Sequence, residues 1–530
     1  MEFSAQDSLI LLGLLAAAAG LLATAQLVRI PYPVLLVLGG LGLGFVPGVP
    51  QIELPPDLVL VAVLPPLLYG TAFFTPLREL RANVRPITLL AVGLVLTTMV
   101  LVAVVAHAVI PGLDWPTAFV LGAIVSPTDP TAATAIAQRL GLPRRLVALI
   151  EGESLVNDGT ALVAYRFAVA AVVTGSFSLA AASGRFVLNV AGGIALGIAV
   201  GYVIRQVRRR LDNPPVEIAI SLLSGYFAYL PAQAAGVSGV LAAVTVGIYM
   251  GLHTPQLTTP QTRLQGQAVW EIVFLLLNAL LFALVGLQLP AILDALSASS
   301  AGTLVGYAAL VTAVVVGARF AWIFPVAYLP RLLSRRIRER DPVPSWRAKT
   351  VLAWSGMRGA VSLAAALALP LTTDAGAPFP DRDLVIFLTF GVILGTLAVQ
   401  GMTLPQLIGL LGLEDDGKAE KEEAKARIRA AEAALERLEA LLHEDWVRED
   451  TAERMRGLYN FRRERFRSRI DAESDGAAES RSVDYQRLRR ELLDAERSAV
   501  VELRRNGVID DDVMRRVVRD LDLEDARLDV

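Results

Sequence analysis

The sequence has no cysteine, which excludes disulfides and thiol chemistry but says little about compartment. Histidine is nearly absent: His107, His253 and His443 stand far apart and form no metal-ligand motif. Charge is scarce over the first 412 residues, because about half of all charged residues fall after Glu414. The formal net charge of −2 hides that asymmetry. A basic region ahead of the first apolar run is also missing. Glu2 and Asp7 precede the run Leu9 to Val28 and Arg29 follows it, so it reads as a retained transmembrane helix and not a cleaved signal. What is abundant is apolar: 54% of the 530 residues are hydrophobic, and the mean hydropathy is +0.53. This composition implies an all-α polytopic membrane domain over 1–412 and a charged, helical cytosolic domain over 413–530.

A crossing helix needs roughly 20 apolar residues. The hydropathy pattern predicts thirteen spans: 8–28, 31–47, 57–75, 87–110, 117–138, 147–174, 186–205, 216–232, 236–252, 269–290, 302–330, 349–370 and 384–412. Within 216–252, Pro231 and Gly236 mark either a turn or a kink. Alternate loops carry the basic residues: Arg29; Arg78, Arg81 and Arg85; Arg139, Arg144 and Arg145; Arg205 and Arg208 to Arg210; Arg263; and Arg331 to Lys349. The opposite loops hold only Arg185 and Arg382, with acids such as Asp114, Asp294, Asp374 and Asp381. That alternation places the N-terminus outside and the tail in the cytoplasm of a plasma-membrane protein. In the tail, Ile428, Leu435, Leu438 and Leu442 form a helical stripe. A break at Ser474–Ser480 precedes a second helical stretch, about 482–505. Asn506-Gly507 ends that stretch, and a short acidic helix follows.

Few ionisable residues fall inside the spans: Asp129, Glu151, Glu153, Asp158, Arg166, Glu271, Arg319 and Arg358. Charges in hydrocarbon are costly, so each needs a reason to be there. Glu151 and Asp158 are seven residues apart and share a helix face, with Ser154 and Asn157 between them. Those neutral oxygens suit a small cation at Asp158. Glu153 points away from Asp158 and is expected to pair elsewhere, with Arg358. Glu151, Arg166, Glu271 and Arg319 are structural or gating candidates. Asp129 lies in Ser126-Pro127-Thr128-Asp129-Pro130, where two prolines remove donors and disfavour helix before them. The segment is predicted to unwind at membrane depth, which is tolerated only where backbone is buried or lines a cavity. Ser355-Gly356-Met357-Arg358-Gly359-Ala360-Val361-Ser362 is its counterpart in the twelfth span, seven spans later. Interrupted helices at matching places in two halves point to a transporter site.

These motifs resemble the sodium/proton exchangers of the NhaP/NHE type, in the monovalent cation:proton antiporter superfamily. The matching runs are Leu64-Pro65-Pro66-Leu67-Leu68-Tyr69, Thr128-Asp129-Pro130, Gly152-Glu153-Ser154-Leu155-Val156-Asn157-Asp158, Ala318-Arg319 with Phe324-Pro325, and Arg358-Gly359-Ala360-Val361-Ser362-Leu363. The resemblance implies a homodimeric, thirteen-helix inverted-repeat fold with core and dimerisation subdomains. It implies Asp158 as the cation- and proton-binding carboxylate, with oxygens from Thr128 and Ser154. Asn157 and Asp129 would complete the site, and Glu153 with Arg358 would form a supporting ion pair. An Asn before the key Asp is associated in this family with electroneutral exchange. Many relatives carry an acid where this chain has Gly70, so any ion contact from that position is missing here.

The expected activity is therefore antiport of Na+, Li+ or K+ against protons by alternating access, serving intracellular pH and sodium balance. Burial disfavours a charged Asp158 and a bound cation favours it, so proton and cation exclude one another. No cofactor, enzymatic reaction or nucleic-acid partner is expected. A cation channel could use the same acids, but it needs no protonation step. An intramembrane aspartyl protease also needs two aspartates, yet the surroundings of Asp129 and Asp158 do not match its Tyr-Asp and Gly-x-Gly-Asp pattern. The glycine-rich run 39–44 lies in a span, where close helix packing explains it better than nucleotide binding.

Overall fold

The computed structural model describes residues 20, 32–45, 61–175, 179–296, 300–333, 345–413, 417–470 and 477–526. Apart from one isolated bridge, Thr372 to Pro378, these residues form only helices and their connections. The chain divides into two compact units, Met1–Glu414 and Asp415–Val530.

The first unit contains α1 (Tyr32–Gly44), α2 (Leu64–Phe74), α3 (Leu77–Ala82), α4 (Val84–Val109), α5 (Trp115–Val125), α6 (Thr131–Arg139) and α7 (Arg144–Thr174). It continues with α8 (Leu179–Arg208), α9 (Pro214–Ala234), α10 (Gly239–Leu257), α11 (Pro260–Ala295), α12 (Ala301–Leu333), α13 (Trp346–Trp354), α14 (Ala360–Leu367) and α15 (Arg382–Leu411). Six of these helices are long and apolar enough to cross a membrane. The expected span 8–28 lies outside the described residues, apart from Gly20. Each of the other twelve expected spans carries helix. Two of them, 117–138 and 349–370, are each split into two pieces.

Local chemistry sets the boundaries. Asp114 caps α5 by accepting from the Thr117 amide at 2.9 Å, and Ser345 caps α13 through the Ala348 amide at 3.1 Å. Ser238 caps α10 in the same way, which decides the ambiguous region 216–252. Pro231 stays inside α9, and the turn falls at Gly236 with φ +71°. Short π-helical turns interrupt α4 at Leu89–Leu94 and α15 at Leu397–Gly401.

Packing sorts the unit into two hydrophobic clusters. One joins α2 with α8, α9, α10 and α11 through Tyr69, Ile204, Ala228, Val246, Met250 and Trp270. The larger one gathers α4 to α7 and α12 to α15, and α1, α2, α9, α10 and α11 reach into it through residues such as Leu36, Leu64, Tyr229, Val240 and Phe282. Where the two approach, the breaks between α5 and α6 and between α13 and α14 cross. The Asp129 amide donates to the Met357 carbonyl at 2.8 Å, joining one break to the other.

The second unit contains α16 (Lys418–Leu441), α17 (Glu449–Ile470), α18 (Ala477–Arg505) and α19 (Asp511–Ala526). The sequence pattern gives no sign of the turn between α16 and α17, because polar residues run through it without a proline or glycine. α18 starts inside the expected break 474–480. Gly507, with φ +69°, ends the α18 stretch as its Asn-Gly pair predicts. Arg497 ties α18 to α19 by pairing with Asp522 and Asp525, each at 2.9 Å. Pairs this exposed add little stability.

Candidate ion-binding site

The two breaks leave four helix ends facing one another, and two charged side chains answer them. The Asp129 carboxylate accepts from the Thr131 amide at 2.8 Å and from the Ala360 amide at 3.2 Å. It therefore sits at the N-termini of both α6 and α14, where a negative charge is favoured. Arg358 does the converse. Its Nε donates to the Val125 carbonyl at 2.9 Å, Nη2 to Ser126 at 3.4 Å, and Nη1 to the carbonyl of Gly356. Its own amide is held by Thr396 Oγ1 at 3.1 Å. Arg358 thus serves the C-terminal ends of α5 and α13. Gly359 is required by this fit, because a Cβ there would lie 1.8 Å from Asp129 Oδ2.

This geometry corrects one expectation. Glu153 does not pair with Arg358; it pairs with Arg319 of α12. Nη2 of Arg319 meets Oε2 at 2.8 Å, and Nη1 meets Oε1. Both side chains are fully buried, and Arg319 also donates to the Leu352 carbonyl at 3.0 and 3.1 Å. The physical reason is competition: the helix-end carbonyls consume the Arg358 guanidinium. Arg319 reaches Glu153 past Gly356, where a Cβ would come within 2.4 Å of the arginine Cδ.

Thr128 is the knot between the break and α7. Its hydroxyl accepts from Asn157 Nδ2 at 2.8 Å and donates to Glu153 Oε1 at 3.3 Å, while its carbonyl accepts from Ser154 Oγ at 2.9 Å. Asn157 is buried, binds Thr128 and not Asp129, and leaves its Oδ1 without a partner among the described residues. It does not reach the cavity described next. This departs from the expectation that Asn157 completes the site together with Asp129.

Asp158 differs from all of these. It is half-buried and lines a cavity of about 310 Å3 together with Thr128, Asp129, Ser154 and Glu151. Among the described residues no donor or cation meets its carboxylate. The Asp158 carboxylate and the Ser154 and Thr128 hydroxyls thus border one space that a small cation could enter, with Asp129 and Glu151 on the same cavity. Glu151 is half-buried at the same cavity. Arg166 is half-buried and does not line it. Glu271 is exposed and accepts from Gln267 at 3.1 Å, away from the site.

The opposite wall comes from α2 and α11. Gly70 lies there against aromatic rings: a Cβ on it would stand 2.4 Å from Phe274 Cζ and 2.7 Å from Trp270 Cζ3. These rings fill the space that a side chain at this position would occupy. Asn278, a lone amide in the apolar run of α11, also lines the cavity, and so does Ser362, whose buried hydroxyl has no partner among the described residues. Sequence reasoning did not single out Asn278 or Thr396, although an isolated polar residue in an apolar span was a readable signal for each.

Comparisons with known proteins agree with this architecture. Residues 13–409 match the family described as sodium/hydrogen exchanger, transmembrane. An uncharacterized Na+/H+ exchanger of Mycobacterium tuberculosis is 38% identical over 507 residues, covering 94% of this chain and 92% of that protein. A sodium, potassium, lithium and rubidium/H+ antiporter of Bacillus pumilus is 37% identical over 388 residues, 71% of this chain and 58% of that protein. The solved sodium proton antiporter MjNhaP1 of Methanocaldococcus jannaschii superposes with a TM-score of 0.61 at 20% identity, over 78% of this chain and 100% of that one. A match over most of the membrane unit, joined to full-length relatives well above 30% identity, makes this chain a member of the sodium/hydrogen exchanger family.

Proposed function

We propose that this chain exchanges a monovalent cation for a proton across the membrane, and that both occupy the Asp158 carboxylate in turn. The observation that carries this reading is the contrast in satisfaction. Glu153, Asp129 and Arg358 are each matched by protein partners, whereas Asp158, beside the oxygens of Thr128 and Ser154 at the cavity, has none among the described residues. A carboxylate held away from bulk water must be neutralised, by a proton or by a bound cation. The two states exclude each other. If the core moves only when Asp158 is neutral, transport in one direction obliges countertransport in the other.

The charged residues of the breaks support that site without carrying the ion. Asp129 and Arg358 balance the four helix ends, so backbone at membrane depth is held without water. Ser154 and Thr128 offer neutral oxygens. Glu153 and Arg319 lock α7 against α12. Asn157 holds Thr128 and adds no charge, so no second carboxylate joins Asp158 from that position, which favours one-for-one, electroneutral exchange. The reading needs no cofactor and no covalent chemistry.

Cation selectivity follows from the wall opposite. With rings at Gly70, no second carboxylate comes from α2, and the entering ion keeps part of its water. A roomy site with one strong ligand discriminates weakly among Na+, K+ and Li+. The Bacillus pumilus relative, named as an antiporter of four alkali cations, agrees with this. We further infer a homodimer in the plasma membrane, with the N-terminus outside and the tail in the cytoplasm, from the family resemblance and the distribution of basic loops.

The test is dequenching of a pH-sensitive dye in proteoliposomes as each cation is added. Wild type should dequench with Na+, Li+ and K+. Asp158→Asn should give none while retaining its thermal midpoint. Exchange retained by a folded Asp158→Asn protein would sink the assignment. A voltage-insensitive Asn157→Asp variant would count against the proposed stoichiometry.

A further inference from the structure

A second hollow, about 80 Å3, lies among the starts of α4, α7 and α13 and the end of α12. Its walls are almost wholly apolar, from residues such as Leu89, Leu149 and Ile323. Yet three cationic side chains, Arg85, Arg145 and Lys349, line it, and among the described residues no carboxylate does. Lys349 is only 2% exposed, and its ammonium has no hydrogen-bond partner among the described residues. Aromatic faces give it partial compensation. Nζ stands 3.5 Å from the Tyr328 ring centroid and 5.6 Å from that of Phe324. Its N–H donors stay unmet. Arg145 donates to Asn83 Oδ1 at 3.3 Å, and Arg85 is exposed.

We propose that this hollow binds the phosphate of an anionic phospholipid. Lys349 meets the phosphate, Arg85 and Arg145 add charge at the rim, and the apolar wall takes the start of an acyl chain. Three observations select this ligand. A buried ammonium without an anion is expensive, so the site calls for negative charge. The hollow lies where four membrane helices begin or end, which is the depth of lipid headgroups. Its apolar lining suits an amphiphile and offers little to a free, hydrated anion. Basic pockets between helices at a membrane face are a recurring form of headgroup recognition. The consequence reaches the transport unit, because α7 carries Asp158 and α13 runs into the break at Ser355–Gly359. A lipid bridging these helix ends would hold them together.

The test uses the purified full-length chain. Binding of phosphatidylglycerol and of phosphatidylcholine with the same acyl chains is measured by native mass spectrometry, and the thermal midpoint is recorded with each. A third arm adds inorganic phosphate alone. Wild type should retain phosphatidylglycerol over phosphatidylcholine and be stabilised by it. Lys349→Met should weaken that preference about fivefold, the worth of one basic contact at a membrane surface. Arg85→Gln with Arg145→Gln should weaken it independently, and decides the matter if Lys349→Met fails to fold. Equal retention of the two lipids by wild type overturns the proposal, as does an undiminished preference in both variants. Stabilisation by inorganic phosphate equal to that by phosphatidylglycerol overturns it too, by showing a free-anion site.

Discussion

Glu153 and Asp158 are carboxylates on the same helix, little more than one turn apart, and they have opposite fates. Glu153 is 1% exposed and clamped by Arg319, and it also receives the Thr128 hydroxyl. Asp158 opens onto the cavity and has no protein partner among the described residues. Residue type and membrane depth are nearly the same. The difference is whether a distant helix delivers a cation. A buried acid with a matched arginine fixes packing; a buried acid left unmatched is available to an ion that comes and goes.

Breaking the matched pair should have the largest effect on stability. Arg319→Met strands Glu153 in an apolar interior and should cost about 3–5 kcal/mol. The measurement is the thermal midpoint in detergent, and no drop would mean the pair is not what holds α7 to α12. Asp158→Asn, by contrast, should leave that midpoint unchanged or raised, since it removes a charge without a partner. The crossing comes next. Asp129→Asn weakens the charge at two helix N-termini and should lower stability by up to about 2 kcal/mol. It should slow exchange without abolishing it, as initial rates in vesicles would report. Complete loss of exchange in a folded Asp129→Asn protein would make Asp129 a second ion-carrying acid and blur the comparison.

A third change tests the opposite wall. Gly70→Asp alone meets Phe274 and Trp270 and should destabilise; with Phe274→Ala it gains room. The double variant should bind Na+ about tenfold tighter than wild type, worth ~1.4 kcal/mol, with a smaller gain for K+. Equal gains for the two ions would detach selectivity from this position. The smallest effect concerns Asp381, in the connection before α15, where it adopts φ +50°. Burial first, and then the neighbouring Asp114 carboxylate, push its carboxyl above the ordinary range. The folded state therefore holds this proton more tightly than the unfolded chain. Its contribution to stability is complete at acid pH and is lost as pH rises through the carboxylate range. Asp381→Asn, which tolerates positive φ, should raise the unfolding free energy at neutral pH by well under about 1 kcal/mol, given solvent screening, and so raise the thermal midpoint slightly. The gain should shrink as pH falls; a gain independent of pH would point to the backbone instead.

Much of the site was legible because its causes are local. Pro127 and Pro130 mark one break through missing donors, and Gly356 and Gly359 mark the other. The spacing of Ser154 and Asp158 puts a hydroxyl one helical turn from the carboxylate. Span positions followed from hydropathy, and Gly236 rather than Pro231 proved to be the turn, since the Ser238 cap starts a new helix there. What could not be read were choices made across long sequence separations. Arg319 and Arg358 are both buried arginines, and only their places in the fold show which one Glu153 receives. Asn157 precedes Asp158, yet its side chain turns to Thr128. The rings that fill the space at Gly70 come from α11, about 200 residues on. The turn between α16 and α17 carries no proline or glycine, so periodicity ran through it.

The central claim, that proton and cation compete for Asp158, is tested most directly by the pH dependence of the cation KM in proteoliposomes. With one shared carboxylate, the apparent KM for Na+ should rise about tenfold for each unit that pH falls on the acid side of the site's titration, while the maximal rate changes little. A KM that stays flat across that range, with exchange still active, would show that the two ions bind at separate places and would contradict the account.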